Sequence, residues 1–319
     1  MKIPYKIHLA NIPTPLEKIE FDGKKFLIKR DDLSGTELSG NKIRKLEYIL
    51  YDAKRKGAEI VFTCGGEQSN HARATAIAAA KVGMKSKLFL WGDGSGPAEG
   101  NLFLDKFIGA ELTFLDKKNY ENVNQLMFDE SLAFKDKRRK VYVVPEGGSS
   151  TLGIWGYINF IEELNKQIDL SKIKGIVAAS GSGGTAAGLL TGISLLKLSL
   201  NIYAVNVLYD SDTIRTKILQ LSEGCVLDYN LSCNIKKNNL HVIDGYSKEG
   251  YKNISKEKLK LIKSFARESG IILDPAYTGK AFTAYYENFL IKNKGTKNIF
   301  LHTGGLFGAF GKREKYLNV

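Results

Sequence analysis

The chain has 319 residues, 43% of them hydrophobic and 25% charged, with 47 Lys and Arg against 34 Asp and Glu for a net charge of +13. That composition excludes a largely disordered chain and leaves room for two domains sharing one cleft, while apolar runs too short to span a bilayer and opening residues without a signal-type apolar region point to a cytoplasmic protein. The basic residues recur along the whole sequence, as in Lys135, Lys137, Arg138, Arg139 and Lys140 and again in Lys256, Lys258 and Lys260, without arginine–aromatic interleaving, so they read as a solvated surface rather than a nucleic-acid face.

Residues up to about 40 read as irregular with short strands. Phe26-Leu27-Ile28-Lys29 is a strand candidate running into Arg30-Asp31-Asp32, and Thr14-Pro15-Leu16 is a turn entry. The stretch Ser39-Gly40-Asn41-Lys42-Ile43-Arg44-Lys45-Leu46-Glu47 then opens an amphipathic helix that ends near Gly57. Ile43, Leu46, Leu50 and Ala53 recur at helical spacing, so they face a core while Lys42 sits in the first turn and Lys45 one turn further on.

A regular alternation follows: strand 59–64, the tight loop Gly65-Gly66-Glu67-Gln68-Ser69-Asn70, an alanine-rich helix 71–82, strand 87–91, a Gly/Pro loop and helix 101–108. Strand 111–115, helix 120–134, strand 141–144 with its loop Pro145-Glu146-Gly147-Gly148-Ser149, and a helix over about 152–164 continue the pattern. Strand 175–179 feeds Ser180-Gly181-Ser182-Gly183-Gly184-Thr185 and the small-residue helix 186–196, with strand 202–208 and a helix after Ser211 next. A looser region holding Cys225 and Cys233 leads to Asp244-Gly245-Tyr246, then to helices near 255–269 and 279–292 and a last strand 298–302. Together with Cys64 the cysteines are too widely spaced for a disulfide framework or a metal site. Strands alternating with helices predict an α/β fold of mostly parallel sheets covered on both faces, with sites at the strands' carboxyl ends.

The loops carry the chemistry. Gly181 to Thr185 joins a strand to a helix N-terminus, where free N–H groups and the positive helix end receive an anion, most naturally a phosphate. The Gly-Lys-Ser/Thr ending of a mononucleotide loop is missing, and the dinucleotide fingerprint matches only loosely. Gln68, Ser69, Asn70 and His71 supply donors suited to a carboxylate, and an Asn or Ser helix cap is the equal alternative for that loop. Taken alone, His71 reads as structural. The Asp274-Pro275-Ala276-Tyr277-Thr278-Gly279 and His302-Thr303-Gly304-Gly305 turns are ordinary by themselves. One cofactor unites them: pyridoxal phosphate needs a lysine, an anion nest, a partner for its ring nitrogen and donors for the substrate carboxylate.

With those blocks in view, the sequence resembles the D-cysteine desulfhydrase and 1-aminocyclopropane-1-carboxylate (ACC) deaminase family of pyridoxal-phosphate enzymes, of the tryptophan-synthase-β-like fold (fold type II). The resemblance rests on Lys29 to Asp32, Ser39 to Glu47, Gly65 to His71, Gly100-Asn101-Leu102 with Gly109-Ala110-Glu111, Gly147-Gly148-Ser149, Ser180 to Thr185, Leu273 to Lys280 and His302 to Gly305, in that order. It implies that Lys42 carries the cofactor, that Lys45 with Gly181, Ser182, Gly183, Gly184 and Thr185 binds its phosphate, and that Asn70 contacts the ring hydroxyl. It also implies that Ser69 with the Gln68 loop holds the substrate carboxylate, that Tyr246 and Tyr277 flank the substrate, and that Thr303 faces the ring nitrogen. The implied architecture is a large domain of residues 1–46 and 154–319, a small domain of 47–153 with the active site between them, and a homodimer.

Two positions choose within the family. In the ACC-deaminase pattern glutamate follows the tyrosine of the Asp-Pro-x-Tyr turn and leucine precedes the last Gly-Gly, where this chain has Thr278 and Thr303. A neutral hydroxyl beside the ring nitrogen suffices for β-elimination, so the expected reaction is D-cysteine to pyruvate, ammonia and hydrogen sulfide. ACC deamination and a β-replacement or racemase activity on another amino acid are the alternatives. Glu67 and Glu146 stand where relatives carry apolar or small residues; if they face the cleft, they disfavour anionic substrates.

Overall fold

The computed structural model describes residues 2–136, 139–250 and 253–318, so that Lys137 and Arg138 of the basic run lie outside the described residues. Strands β1 (Leu16–Phe21) and β2 (Lys24–Arg30) form an antiparallel hairpin. Its turn is Asp22-Gly23, both at positive φ (52° and 65°), the geometry whose twist matches that of the strands it joins. Helix α1 (Lys42–Arg55) follows, then β3 (Ile60–Gly66), α2 (Asn70–Lys81), β4 (Lys85–Trp91), α3 (Gly100–Phe107) and β5 (Glu111–Leu115). Next come α4 (Lys117–Glu121), α5 (Val123–Asp136), β6 (Val141–Val143), α6 (Trp155–Gln167), β7 (Gly175–Ser180), α7 (Gly184–Leu195) and β8 (Asn201–Asn206). The chain closes with α8 (Ser211–Asp228), β9 (Leu240–Ile243), α9 (Lys256–Ser269), α10 (Thr278–Tyr285), β10 (Asn298–His302), α11 (Leu306–Phe310) and α12 (Arg313–Leu317).

Two sheets result. One has the order β1-β2-β10-β7-β8-β9 and is parallel apart from the β1–β2 pair; the other, β5-β4-β3-β6, is parallel throughout. Helix α1 packs Ile43, Leu46, Leu50 and Ala53 against Val61, Ala74 and Ala78 of the smaller sheet and its helix, the apolar face that helical spacing predicts. Its opposite side meets α6, which makes α1 the spine between the sheets, running unbroken across position 46. Among the described residues no helix is long and apolar enough to cross a membrane.

Three local readings are corrected. The helix predicted over 120–134 is two helices: Asp116 starts α4 early by accepting from the Asn119 N–H at 2.8 Å, and the backbone leaves helical geometry at Asn122 before α5. Cys225 lies in α8, not in a loose segment. Ile214, Ile218, Ser222 and Cys225 form its buried stripe, disguised in sequence because Ser222 satisfies its hydroxyl on the Ile218 carbonyl at 2.9 Å. β9 is an edge strand of four residues, too short for its alternation to register, and it precedes Asp244.

Charge is buried beneath α1. Arg44 reaches Asp31 (2.9 Å) and Glu163 (2.7 Å), Tyr157 donates to Asp31 at 2.6 Å, and Lys29 donates to Glu163 at 2.5 Å and to the Thr14 carbonyl. Removing the guanidinium leaves the fully buried Asp31 without its counter-cation, while Glu163 keeps Lys29. Arg44→Ala is therefore expected to destabilise the fold by about 3–5 kcal/mol, read from the denaturant midpoint at unchanged slope.

Candidate active site

A cavity of ≈ 380 Å³ lies where the carboxyl ends of the two sheets meet. Gly65 and Gly66 enter it at the end of β3 and Ser69 just beyond, Trp91 at the end of β4, Glu146 after β6, Ser180 at the end of β7 with Gly181 to Thr185 following, Tyr209 after β8 and Thr303 after β10. All four strands of the smaller sheet, with Lys117 and Tyr120 following β5, and β7, β8 and β10 of the larger thus deliver their carboxyl ends or following loops to one place, as crossover connections dictate.

Lys42, the first residue of α1, lines this cavity. The entry loop is strapped on both sides: the Asn41 N–H donates to the Thr303 carbonyl at 3.0 Å, and Asn41 Nδ2 donates to Thr185 Oγ1 at 2.9 Å. Desolvation in the cleft brings the Lys42 ammonium down to about 8, against the opposing pull of Glu146 and Asp274. Lys45 is 1% exposed and donates to the Gly147 carbonyl at 3.1 Å. Burial first, and then the neighbouring Lys42, depress it well below the ordinary lysine value.

Lys45 points at the N-terminus of α7. A Cβ on Gly184 would fall 2.8 Å from Lys45 Nζ and 2.4 Å from Ser149 Oγ, so only glycine leaves this space open. Ser180 Oγ beside it is buried without a partner, and Ser149 and Ser182 hydroxyls pair at 2.8 Å across the cleft. The result is a set of hydroxyls, helix-end N–H groups and one lysine amine converging on a position suited to an anion.

On the facing wall Ser69 caps α2, its Oγ accepting from the Ala72 N–H at 3.2 Å, and Asn70 Oδ1 accepts from Asn101 Nδ2 at 3.0 Å. His71 is driven well below its usual range by burial, then by Lys42 and Lys45, so its ring is neutral. Thr63 gives its hydroxyl proton to the Val144 carbonyl, so it accepts from His71 Nε2–H at 2.8 Å and leaves Nδ1 unprotonated.

Lys42, Lys45, Ser69, Asn70, His71, Gly181 to Thr185, Tyr277 and Thr303 are therefore brought together. Two residues singled out in the sequence are not. Tyr246 packs into the core behind β8, its hydroxyl donating to Glu287 and its ring lying under Lys258 Nζ at 5.2 Å. The Gln68 side chain turns out of the cleft, donating to the Glu99 carbonyl at 2.9 Å and accepting from the Asn101 N–H at 3.0 Å, and so fixes the start of α3. Of the two unusual glutamates, Glu67 is also turned away, accepting from the Gly94 N–H at 3.0 Å, whereas Glu146 faces the cavity. Tyr120, Tyr209 and Trp91 line it as well. Their signal was position alone, on or just beyond strand carboxyl ends.

Residues 7–304 match the family described as pyridoxal-phosphate dependent enzyme. The chain belongs to this family. It is 42% identical over 97% of its length, and 99% of the relative's, to a putative ACC deaminase of Thermotoga maritima. It is 35% identical over 96% of its length, and 80% of the other's, to the bifunctional D-cysteine desulfhydrase/ACC deaminase of Arabidopsis thaliana, and 32% identical to a D-cysteine desulfhydrase of Salmonella paratyphi B over 96% and 95% of the two chains. A crystal structure of an ACC deaminase homologue superposes with a TM-score of 0.90 at 35% identity, covering 99% of this chain and 96% of that one. A threonine deaminase of Solanum lycopersicum shares the fold at TM-score 0.64 and 20% identity, covering 97% and 83%. The two-sheet α/β architecture is thus the fold type II expected.

This pyridoxal-phosphate enzyme has residues that fit its cofactor. A buried lysine amine held by a single carbonyl, an unpartnered serine hydroxyl and the Gly184 opening could receive a phosphate, and Lys42, brought to about 8, could offer an amine to the aldehyde.

Proposed function

We propose that this enzyme catalyses β-elimination from a small amino acid, most simply D-cysteine to pyruvate, ammonia and hydrogen sulfide. The observation that carries the reading is that an amine brought to about 8, Lys42, shares one cavity with a second buried lysine amine, Lys45, aimed at an anion nest. When bound, the cofactor supplies an aldehyde for the amine and an electron sink for the substrate's α-carbon. Lys45 and the N–H groups of Gly181 to Thr185 hold the phosphate, and Asn70 meets the ring hydroxyl. Ser69 and the α2 N-terminus hold the substrate carboxylate, and Tyr277, packed over Gly181, flanks the substrate. Neutral Lys42 Nζ takes the α-proton, and the two sheets enclose the reacting atoms.

Thr303 presents a neutral hydroxyl to the proposed ring-nitrogen position, and Thr278 spends its hydroxyl on Asp274 at 2.6 Å. A leaving group that carries its electrons away asks for no stronger partner. The second reading, ACC deamination, is favoured by the names borne by the Thermotoga and Arabidopsis relatives. Incubation with D-cysteine, L-cysteine and ACC separates them: pyruvate from a cysteine is the expected product, 2-oxobutyrate from ACC supports the second reading, and release of neither overturns both. We further propose a cytoplasmic homodimer with residues 1–46 and 154–319 as the large domain and 47–153 as the small one, α1 being their common spine.

A further inference from the structure

Two carboxylates line the cavity. Glu121 is exposed at its rim beside the equally exposed Lys117, of opposite sign, whereas Glu146 is half-buried inside, immediately before the Gly147 carbonyl that holds Lys45. Tyr120 donates to Glu146 Oε1 at 3.0 Å. Tyr209 lies against the same carboxylate; its hydroxyl is pushed up to about 12 by burial and then by the charge of Glu146, so it stays a neutral donor. The Cys64 thiol behind them is likewise pushed up to about 12 by burial and by Glu146, which leaves no thiolate there. An ionised carboxylate accepts about four hydrogen bonds, so two phenols leave acceptor capacity directed into the cleft. Trp91 and Leu208 wall the same space with apolar surface and weaken solvent screening.

We propose that Glu146, buttressed by Tyr120 and Tyr209, sets substrate specificity by favouring amino acids whose β-substituent carries N–H donors, 2,3-diaminopropionate being the smallest, over those with an anionic β-substituent. This rests on the β-elimination reading above. With 2,3-diaminopropionate the Cα–H bond breaks and its proton passes to Lys42 Nζ, while the Cβ–N bond breaks and ammonia leaves with the electron pair. Addition of one water then gives pyruvate and the second ammonia, so no oxidant or reductant is needed. A β-ammonium meets the Glu146 charge directly; the sulfonate of cysteate meets like charge in a poorly screened wall, the repulsive half of a specificity device.

The test uses the holoenzyme with 2,3-diaminopropionate and cysteate, and compares wild type with Glu146→Gln, Tyr120→Phe and Glu67→Gln. Two quantities are read for each pair: kcat/KM for pyruvate release, and the half-saturation of the visible absorbance change on adding the amino acid, which reports binding without turnover. Glu146→Gln is expected to lower the diaminopropionate-to-cysteate ratio by roughly 10-fold or more. Tyr120→Phe, which leaves the carboxylate one donor short, is expected to raise it, and Glu67→Gln, turned away from the cleft, to leave it unchanged. Unchanged ratios in both Glu146→Gln and Tyr120→Phe overturn the proposal. If wild type releases no pyruvate from these or from cysteine, the β-elimination reading falls and the binding ratio alone decides the role of Glu146.

Discussion

Lys42→Ala is expected to yield a folded protein without the visible absorbance of the bound cofactor and with turnover reduced by more than ~10³-fold, since in the proposed roles Lys42 is both the covalent anchor and the base that takes the α-proton. Lys42→Arg is expected to fail as completely, because a guanidinium remains protonated at any working pH and is no nucleophile. Folding survives in both cases: the apolar face of α1 comes from Ile43, Leu46, Leu50 and Ala53, not from Lys42. Retention of the absorbance and of turnover by Lys42→Ala would sink the assignment of the site.

The same lysine gives the reaction with cofactor a signed pH dependence. Only the neutral amine attacks an aldehyde. Desolvation has brought Lys42 down to about 8, so the rate at which cofactor-free protein captures pyridoxal phosphate should climb about tenfold per pH unit below that value and level off above it. Glu146 opposes the shift by stabilising the ammonium. Glu146→Gln should therefore move the bend in the profile to lower pH, and a bend left in place would show that the two groups do not interact.

The strand–loop–helix units around the site were legible because each is short-range: a buried strand such as β3, a glycine turn, then a helix whose first residues are polar. Glycines and a lysine at helix openings carry their chemistry in residue type and position, which is why Lys42, Lys45 and Gly181 to Thr185, which the fold brings to one cavity, stood out as candidates. Tyr246 was not separable from a site tyrosine by sequence, since only the fold, which packs it in the core with its phenol on Glu287, 41 residues further along the chain, shows where it turns. Gln68 and Ser69 are neighbours in sequence, yet Ser69 faces the cavity as the cap of α2 while the Gln68 side chain fixes α3. Glu67 and Glu146 were equivalent anomalies until the direction of each loop was known. Tyr120 lies on α4, a separate short helix that Asp116 starts and that ends where the backbone leaves helical geometry at Asn122, a break no periodicity announces.

Lys45→Met should affect stability and cofactor affinity in opposite directions. In the cofactor-free protein the Lys45 amine is 1% exposed, with the Gly147 carbonyl as its partner, and its protonated form is strongly disfavoured. Methionine matches its length and fills the same channel without a polar atom, so the cofactor-free variant is expected to be more stable by about 1–2 kcal/mol. The pH dependence has a definite sign. Because the folded-state value lies below the ordinary 10.5, the unfolded chain binds the extra proton, and the wild-type handicap is largest at neutral and acidic pH and fades as pH rises toward 10.5. The loaded protein should behave in the reverse way. There, in the proposed role, the amine would gain a phosphate oxygen, a charge-assisted hydrogen bond worth roughly 1.5–3 kcal/mol, so Lys45→Met should weaken cofactor binding by roughly 10- to 100-fold and reduce the stabilisation that added pyridoxal phosphate confers. Denaturant midpoints with and without cofactor, together with the binding constant, measure both halves. A lysine that only braces the Gly147 loop would lose stability in both states on substitution, so destabilisation of the cofactor-free protein with unchanged cofactor affinity would remove Lys45 from the phosphate site.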